Sequence, residues 1–146
     1  MTGPEIVARG QALLGKGIRY EMGADDLTEP GLALDCSAFA CRCLGFRKFD
    51  GKVWWNTDRV VSDAFGAQAK FRPVEPSEVQ PGDVLVYSRK MNGGKVGHIC
   101  VVVDPAKQLV IECASSAGGV IQQRRPAFFA KVRNGTAIFA RYKAAS

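Results

Sequence analysis

The chain has 146 residues, 47% of them hydrophobic and 23% charged, a balance that supplies one core and excludes a disordered or fibrous protein. Its longest apolar runs, residues 99–103 and 84–87, are of strand length and far short of a membrane span. The net charge of +6 favours anionic partners, but the basic residues are scattered and no segment interleaves them with aromatics, so a nucleic-acid groove is not expected.

In chain order, the first feature is the start Met1-Thr2-Gly3-Pro4-Glu5, which lacks the basic and apolar stretches of a secretory signal. Thr2-x-x-Glu5 is instead a capping-box pattern, with Pro4 suited to a first helical turn. Ile6, Val7, Leu13 and Leu14 fall on one side of the helix that follows, and Gly15 and Gly17 are expected to end it. A loop over residues 22–31, rich in Gly, Asp and Pro, leads to a second helix with Asp35 as N-cap. Phe39, Ala40, Cys43 and Leu44 form its apolar stripe, and Gly45 before Phe46 fits a left-handed C-cap. A third helix is expected to open at Asn56 or Thr57, to run to Phe65 and to stop at Gly66.

The pattern then changes to strands. Pro81-Gly82-Asp83 is turn chemistry leading into a strand at 84–87, and the loop 88–95 feeds a second strand at 96–103. Strands are also expected at 108–114, 120–123 and 137–142. Helices first and strands second predict an α+β fold, with an antiparallel sheet packed on the N-terminal helices and residues 1–146 as a single domain.

The five cysteines, Cys36, Cys41, Cys43, Cys100 and Cys113, are an odd number, and none forms a C-x-x-C pair. That argues for free thiols, and Cys41-x-Cys43 with one histidine is a poor match to a zinc site. No metal or cofactor is expected. Cys36 is the exception to a packing role. At the first turn of a helix its sulfur meets unpaired backbone N–H groups and the positive end of the helix dipole, which favour the thiolate. The same N–H groups can stabilise charge developing on a carbonyl under attack. His98 is the only histidine, so any chemistry that needs an imidazole must use it. Strand alternation puts Val96, His98, Cys100 and Val102 on one face and Gly97, Ile99, Val101 and Val103 on the other.

Several stretches together resemble NlpC/P60 domains. They are residues 12–20 (Ala-Leu-Leu-Gly-Lys-Gly-Ile-Arg-Tyr), Leu34-Asp35-Cys36-Ser37-Ala38-Phe39, Pro81-Gly82-Asp83-Val84-Leu85-Val86-Tyr87, Val96-Gly97-His98-Ile99 and Val110-Ile111-Glu112-Cys113. The resemblance spans about residues 6 to 142. It implies a papain-like core and hydrolysis of amide bonds in peptidoglycan stem peptides, often between D-glutamate and a diamino acid. It further implies Cys36 as nucleophile, His98 as base and Glu112 in the place of the third active-site residue. Tyr20 resembles a tyrosine near the cleft that can assist the oxyanion, and Asp35 and Ser37 resemble positions that in some members contact the substrate amine. The chain departs from the family pattern at Ala38, where glycine is common, and at Ala24, which ends a Tyr-x-x-Gly-Gly-like stretch. Glu112 stands where a histidine or another polar residue is more usual.

Competing readings are a thiol acyltransferase of the same superfamily and a non-catalytic wall-binding module. Chain order weighs against the first, since such relatives tend to place histidine before cysteine. Joint retention of Cys36, His98 and Glu112 weighs against the second. A monomer is expected, made in the cytoplasm and reaching a wall substrate after release or by non-classical export. A phage lysis or tail enzyme, a secreted effector and a recycling enzyme all fit. The role of Glu112 depends on register: paired residues of an antiparallel hairpin share a face, so His98 and Glu112 do so only if paired numbers sum to an even value. This predicts an odd loop, such as 104–106, unless a bulge intervenes; a four-residue loop over 104–107 would turn Glu112 away.

Overall fold

The computed structural model describes residues 1–145; Ser146, the last residue of the expected domain, lies outside them. Helix α1 spans Gly3–Gln11. Its capping box is formed: the Thr2 hydroxyl accepts the Glu5 N–H at 3.3 Å, and the Glu5 carboxylate accepts the Thr2 N–H at 2.7 Å. The helix ends at Gln11 rather than at Gly15, and Leu13 and Leu14 pack against the core from the turn that follows.

The loop 22–31 lies among three short strands, β1 (Arg19–Tyr20), β2 (Asp25–Asp26) and β3 (Ala33–Leu34), which the sequence pattern did not predict. Helix α2 (Cys36–Leu44) starts where expected. The Asp35 side chain accepts the Ala38 N–H, and Gly45, at φ 90°, closes the helix in the left-handed region that a side chain resists. Helix α3 is Thr57–Ala64, capped by the Asn56 side chain on the Arg59 N–H. The remaining elements are β4 (Phe71–Val74), β5 (Val84–Tyr87), β6 (His98–Asp104), β7 (Leu109–Ala114), β8 (Gly119–Arg124), α4 (Pro126–Arg133) and β9 (Ile138–Tyr142). The expected α+β class therefore holds, with β4 and α4 as further unpredicted elements.

Among the described residues, nine strands join one sheet in the order β2-β3-β1-β8-β7-β6-β5-β9-β4. Every pairing is antiparallel except β1 with β3. One face carries Val84, Val86, Ile99, Val101, Ile111 and Cys113 against the α1 and α2 side chains Ile6, Phe39, Cys43 and Leu44. The opposite face carries Leu85, Cys100, Val102 and Val110 against Phe128 and Phe129 of α4. Both faces of the central strands are buried, which is why β5 and β6 read as nearly continuous apolar runs rather than as alternating ones.

The hairpin from β6 to β7 pairs Val101 with Ile111 and Val102 with Val110, then Asp104 with Leu109. Paired numbers sum to 212 along the strands and to 213 at the turn, so one extra residue, Val103, bulges out of β6. The connecting loop therefore has four residues, 105–108, rather than the predicted odd number. The bulge restores the even register, and on this ladder Cys100 faces Glu112, which leaves Glu112 on the face of His98.

Candidate active site

Cys36 is the first residue of α2, and its neighbour Asp35 fixes that helix end. Asp35 is buried and its carboxylate is surrounded by donors. Ala38 N–H lies at 2.8 Å, Gly23 N–H at 3.1 Å, the Ser37 hydroxyl at 3.3 Å and the Lys48 ammonium at 2.5 Å. The Lys48–Asp35 pair has side-chain exposures of only 6% and 5%, so the carboxylate expected beside a substrate amine already faces an ammonium of its own chain. The backbone N–H groups of Cys36 and Ser37 donate to no acceptor among the described residues, as befits the first turn of a helix.

His98 opens β6 directly after Gly97. A side chain on Gly97 would collide with Thr57, the first residue of α3, and with the Tyr87 carbonyl, so glycine lets β6 begin tight against both. The His98 ring is flanked by Phe128 at 5.6 Å and Tyr87 at 6.4 Å between centroids. Its Nε2 lies 2.5 Å from Glu112 Oε1, so Nδ1 is the ring nitrogen that this carboxylate does not engage. Burial acts to lower the imidazole pKa, but the interaction with Cys36 and the hydrogen bond that the Glu112 carboxylate accepts, with the charges of both, outweigh it and raise the value to about 9.

Glu112 is fully buried in β7 and is held from several sides. Besides His98, Gln123 of β8 donates to its Oε2 at 3.0 Å, and Arg125 Nε lies 3.1 Å from the same oxygen. Burial alone would raise its pKa; the His98 hydrogen bond and charge, followed by Gln123 and Arg125, hold it below the ordinary carboxylate value. Neither Gln123 nor Arg125 was singled out in the sequence. Their signal lies in the second hairpin: β7 pairs Val110 with Gln123 and Glu112 with Ile121, so Gln123 sits diagonally beside Glu112 on the same face.

A cleft of about 240 Å³ opens beside Cys36, lined by Tyr20, Asp35, Ser37, Lys48, Trp54 and Arg89 among others. Burial, then the neighbouring Cys36 and Asp35, raises the Tyr20 phenol to about 12, so its O–H stays a donor at any ordinary pH. The two tryptophans divide their roles: Trp55 is buried core, whereas Trp54 is 49% exposed, lines the cleft and carries Lys48 over its ring at 5.5 Å. The other thiols have no such opening. Burial raises Cys41 and Cys113 to about 12 and drives Cys43 and Cys100 up as well. Among the described residues no three metal-ligating side chains converge, and no helix is long and apolar enough to cross a membrane.

Thus five of the six residues singled out in the sequence, Tyr20, Asp35, Cys36, Ser37 and His98, line or adjoin one cleft, with Glu112 behind His98. No protein-family model and no curated protein sequence matches the chain. Solved structures do match. NlpC1 from Trichomonas vaginalis superposes with a TM-score of 0.61 at 16% identity, over 96% of this chain and 44% of that one. NlpC2 from the same organism gives a TM-score of 0.55 at 15% identity, over 83% of this chain and 40% of that one. The chain thus spans less than half the length of either, and at such identity the likeness concerns the fold: an NlpC/P60-like α+β fold.

Proposed function

We propose that the chain is a cysteine amidase or endopeptidase acting on peptidoglycan stem peptides, with residues 1–146 as one catalytic domain. A single observation supports the reading most: Cys36, at a helix N-terminus, acts on an imidazole whose Nε2 is held by a buried carboxylate. Cys36 and His98 act as a thiolate–imidazolium pair. The sulfur attacks the scissile carbonyl carbon, and the oxygen takes up negative charge within reach of the Cys36 and Ser37 N–H groups and the Tyr20 hydroxyl. As the C–N bond breaks, the imidazolium gives its proton to the leaving amine, and a thioester remains on Cys36. Neutral His98 then takes a proton from water, whose oxygen attacks the thioester carbon. The C–S bond breaks, releasing a carboxylic acid and restoring the pair.

Glu112 is a positioning residue in this scheme: it fixes the imidazole tautomer and favours the charged ring. Asp35 and Ser37 line the acyl side of the cleft, where a free substrate amine would compete with Lys48 for the Asp35 carboxylate.

The test is digestion of purified peptidoglycan with the fragments identified by mass spectrometry. The wild-type protein should release stem-peptide fragments whose masses sum to that of the uncut material plus one water per bond cut. Cys36→Ala should release none while unfolding at nearly the same temperature, and Cys41→Ala and Cys43→Ala should keep most of the activity. Undiminished digestion by Cys36→Ala would overturn the assignment, and fragments transferred to an added amine in preference to water would point to an acyltransferase.

A further inference from the structure

The cleft at the Cys36–His98 pair has two hollows. Tyr20, Met22, Val96 and Gly97 line both, whereas Cys36 opens only on the first and His98 only on the second. The atom that attacks carbon thus faces one side, and the ring that protonates nitrogen faces the other. A bound substrate is thereby oriented, acyl half toward Cys36 and amine half toward His98.

The second hollow, about 360 Å³, has hydroxyls from Tyr20, Tyr87, Ser115 and Ser116 and the guanidinium of Arg125 in its lining, and no carboxylate. Arg125 is incompletely satisfied. Its Nε is near enough to Glu112 for ion pairing, at 3.1 Å, but the N–H is not directed at the oxygen, and this buried donor has no hydrogen-bond partner among the described residues. The terminal nitrogens donate to no described residue either, although the group is held in place over the Phe128 ring at 5.4 Å and is 32% exposed. A planar guanidinium with open donors, in the lining of a hydroxyl-bearing hollow, matches the geometry of a carboxylate.

We propose that this hollow is a subsite for a free carboxylate on the amine half of the substrate, within about one residue of the scissile nitrogen, with Arg125 as the residue that selects it. The inference rests on the amidase reading given above and extends it to substrate choice. Burial raises the Tyr87 phenol, so its hydroxyl keeps the proton and adds a donor to the same hollow. By contrast, the first hollow mixes Asp35 and Asp58 with Lys48 and Arg89 and has no such single sign.

Three stem tripeptides test this, identical on the acyl side: one ending in lysine amide, one in lysine with a free C-terminal carboxylate, and one in diaminopimelate amidated at its C-terminus but keeping the side-chain carboxylate. At least one acid should be cleaved about tenfold to a hundredfold faster in kcat/KM than the lysine amide, the range that a charge-assisted hydrogen bond supports. Which acid wins shows whether the carboxylate comes from the chain end or from a side chain. In Arg125→Met the preference should collapse toward one, and Arg125→Lys should recover part of it. A residue that only buttressed Glu112 would lower all three rates alike and leave the preference standing. That result, or equal wild-type rates, overturns the subsite. If no peptide is cut, the amidase reading fails instead, and the subsite is decided by calorimetry on Cys36→Ala with diaminopimelate and its diamide. Tighter binding of the acid upholds it, and equal binding overturns it.

Discussion

At the scale of single residues, His98 sets the response to pH. Its imidazole is lifted to about 9, so the ring is charged at neutral pH, the form that can protonate a leaving amine. Activity should therefore hold through neutral pH and fall as the pH passes about 9, where the charged ring is lost; the limit belongs to the coupled Cys36–His98–Glu112 group jointly. Glu112→Gln keeps the shape and removes the charge. It should move the alkaline limit to lower pH and cost roughly a hundredfold in kcat/KM, within the range of a positioned acid–base group. An unmoved limit would remove Glu112 from this role. Stability follows with a definite sign. The folded His98 value lies above its ordinary 6.5, so the contribution is complete below 6.5 and is lost as the pH rises through about 9. Glu112 is held below its ordinary 4.5, so its contribution is present above 4.5 and is lost on acidification through its lower folded value. Melting temperature measured against pH should decline on both sides, and His98→Gln should flatten the alkaline decline.

At the scale of elements, the β6–β7 hairpin decides whether Glu112 meets His98. Val103 is the extra residue of the bulge, so deleting it closes a regular ladder with Cys100 still opposite Glu112. Deleting Val110 instead slides Glu112 by one position and turns its carboxylate toward the apolar side chains of the α1–α2 core. The first deletion should keep most of the activity at a modest loss of stability; the second should abolish activity and lower the melting temperature sharply. Equal effects in the two would refute this role for the bulge. The same hairpin marks the limit of what the sequence discloses. Parity could be stated as a condition, but nothing in Val102-Val103-Asp104 announces which residue bulges, because that depends on β5 and β7 together. The helix starts were legible because Thr2, Asp35 and Asn56 act within their own turn. Strand β4 was hidden by Pro73, tolerable only because β4 is the edge of the sheet. Helix α4 was hidden because it starts at Pro126 with no side-chain cap. Asp63 was missed for a related reason: it accepts the N–H groups of Ala69, Lys70 and Phe71, tying α3 to β4 through a loop with no periodic pattern.

At the scale of the whole molecule, the site is a meeting of two halves that are far apart in sequence. Helix α2 lies on β6 and β7 through Phe39 and Cys43 against Ile99, Val101 and Ile111, and this packing carries the Cys36 end of the helix to the start of β6. The residue types were legible one at a time, since a lone histidine and a helix-capping Asp-Cys-Ser are local signals. Lys48 on Asp35 and Arg125 behind Glu112 were not, because each contact exists only once the sheet and helices have assembled. The net charge of +6 belongs to this scale too, as a long-range field rather than a contact. Peptidoglycan is a carboxylate-bearing polymer in the proposed reaction, so the field should raise the concentration of enzyme at an insoluble wall more than it helps a short neutral-ended peptide in solution. Salt separates the two, since the screening length shrinks from roughly 10 Å at 0.1 M to about 3 Å at 1 M. The initial rate on insoluble peptidoglycan should therefore fall several-fold across that range. The rate on the stem tripeptide ending in lysine amide, which offers Arg125 no carboxylate, should change much less. Equal losses on both substrates would place the salt effect inside the cleft, among the Lys48–Asp35 and Arg125–Glu112 pairs, and not in the field of the basic surface.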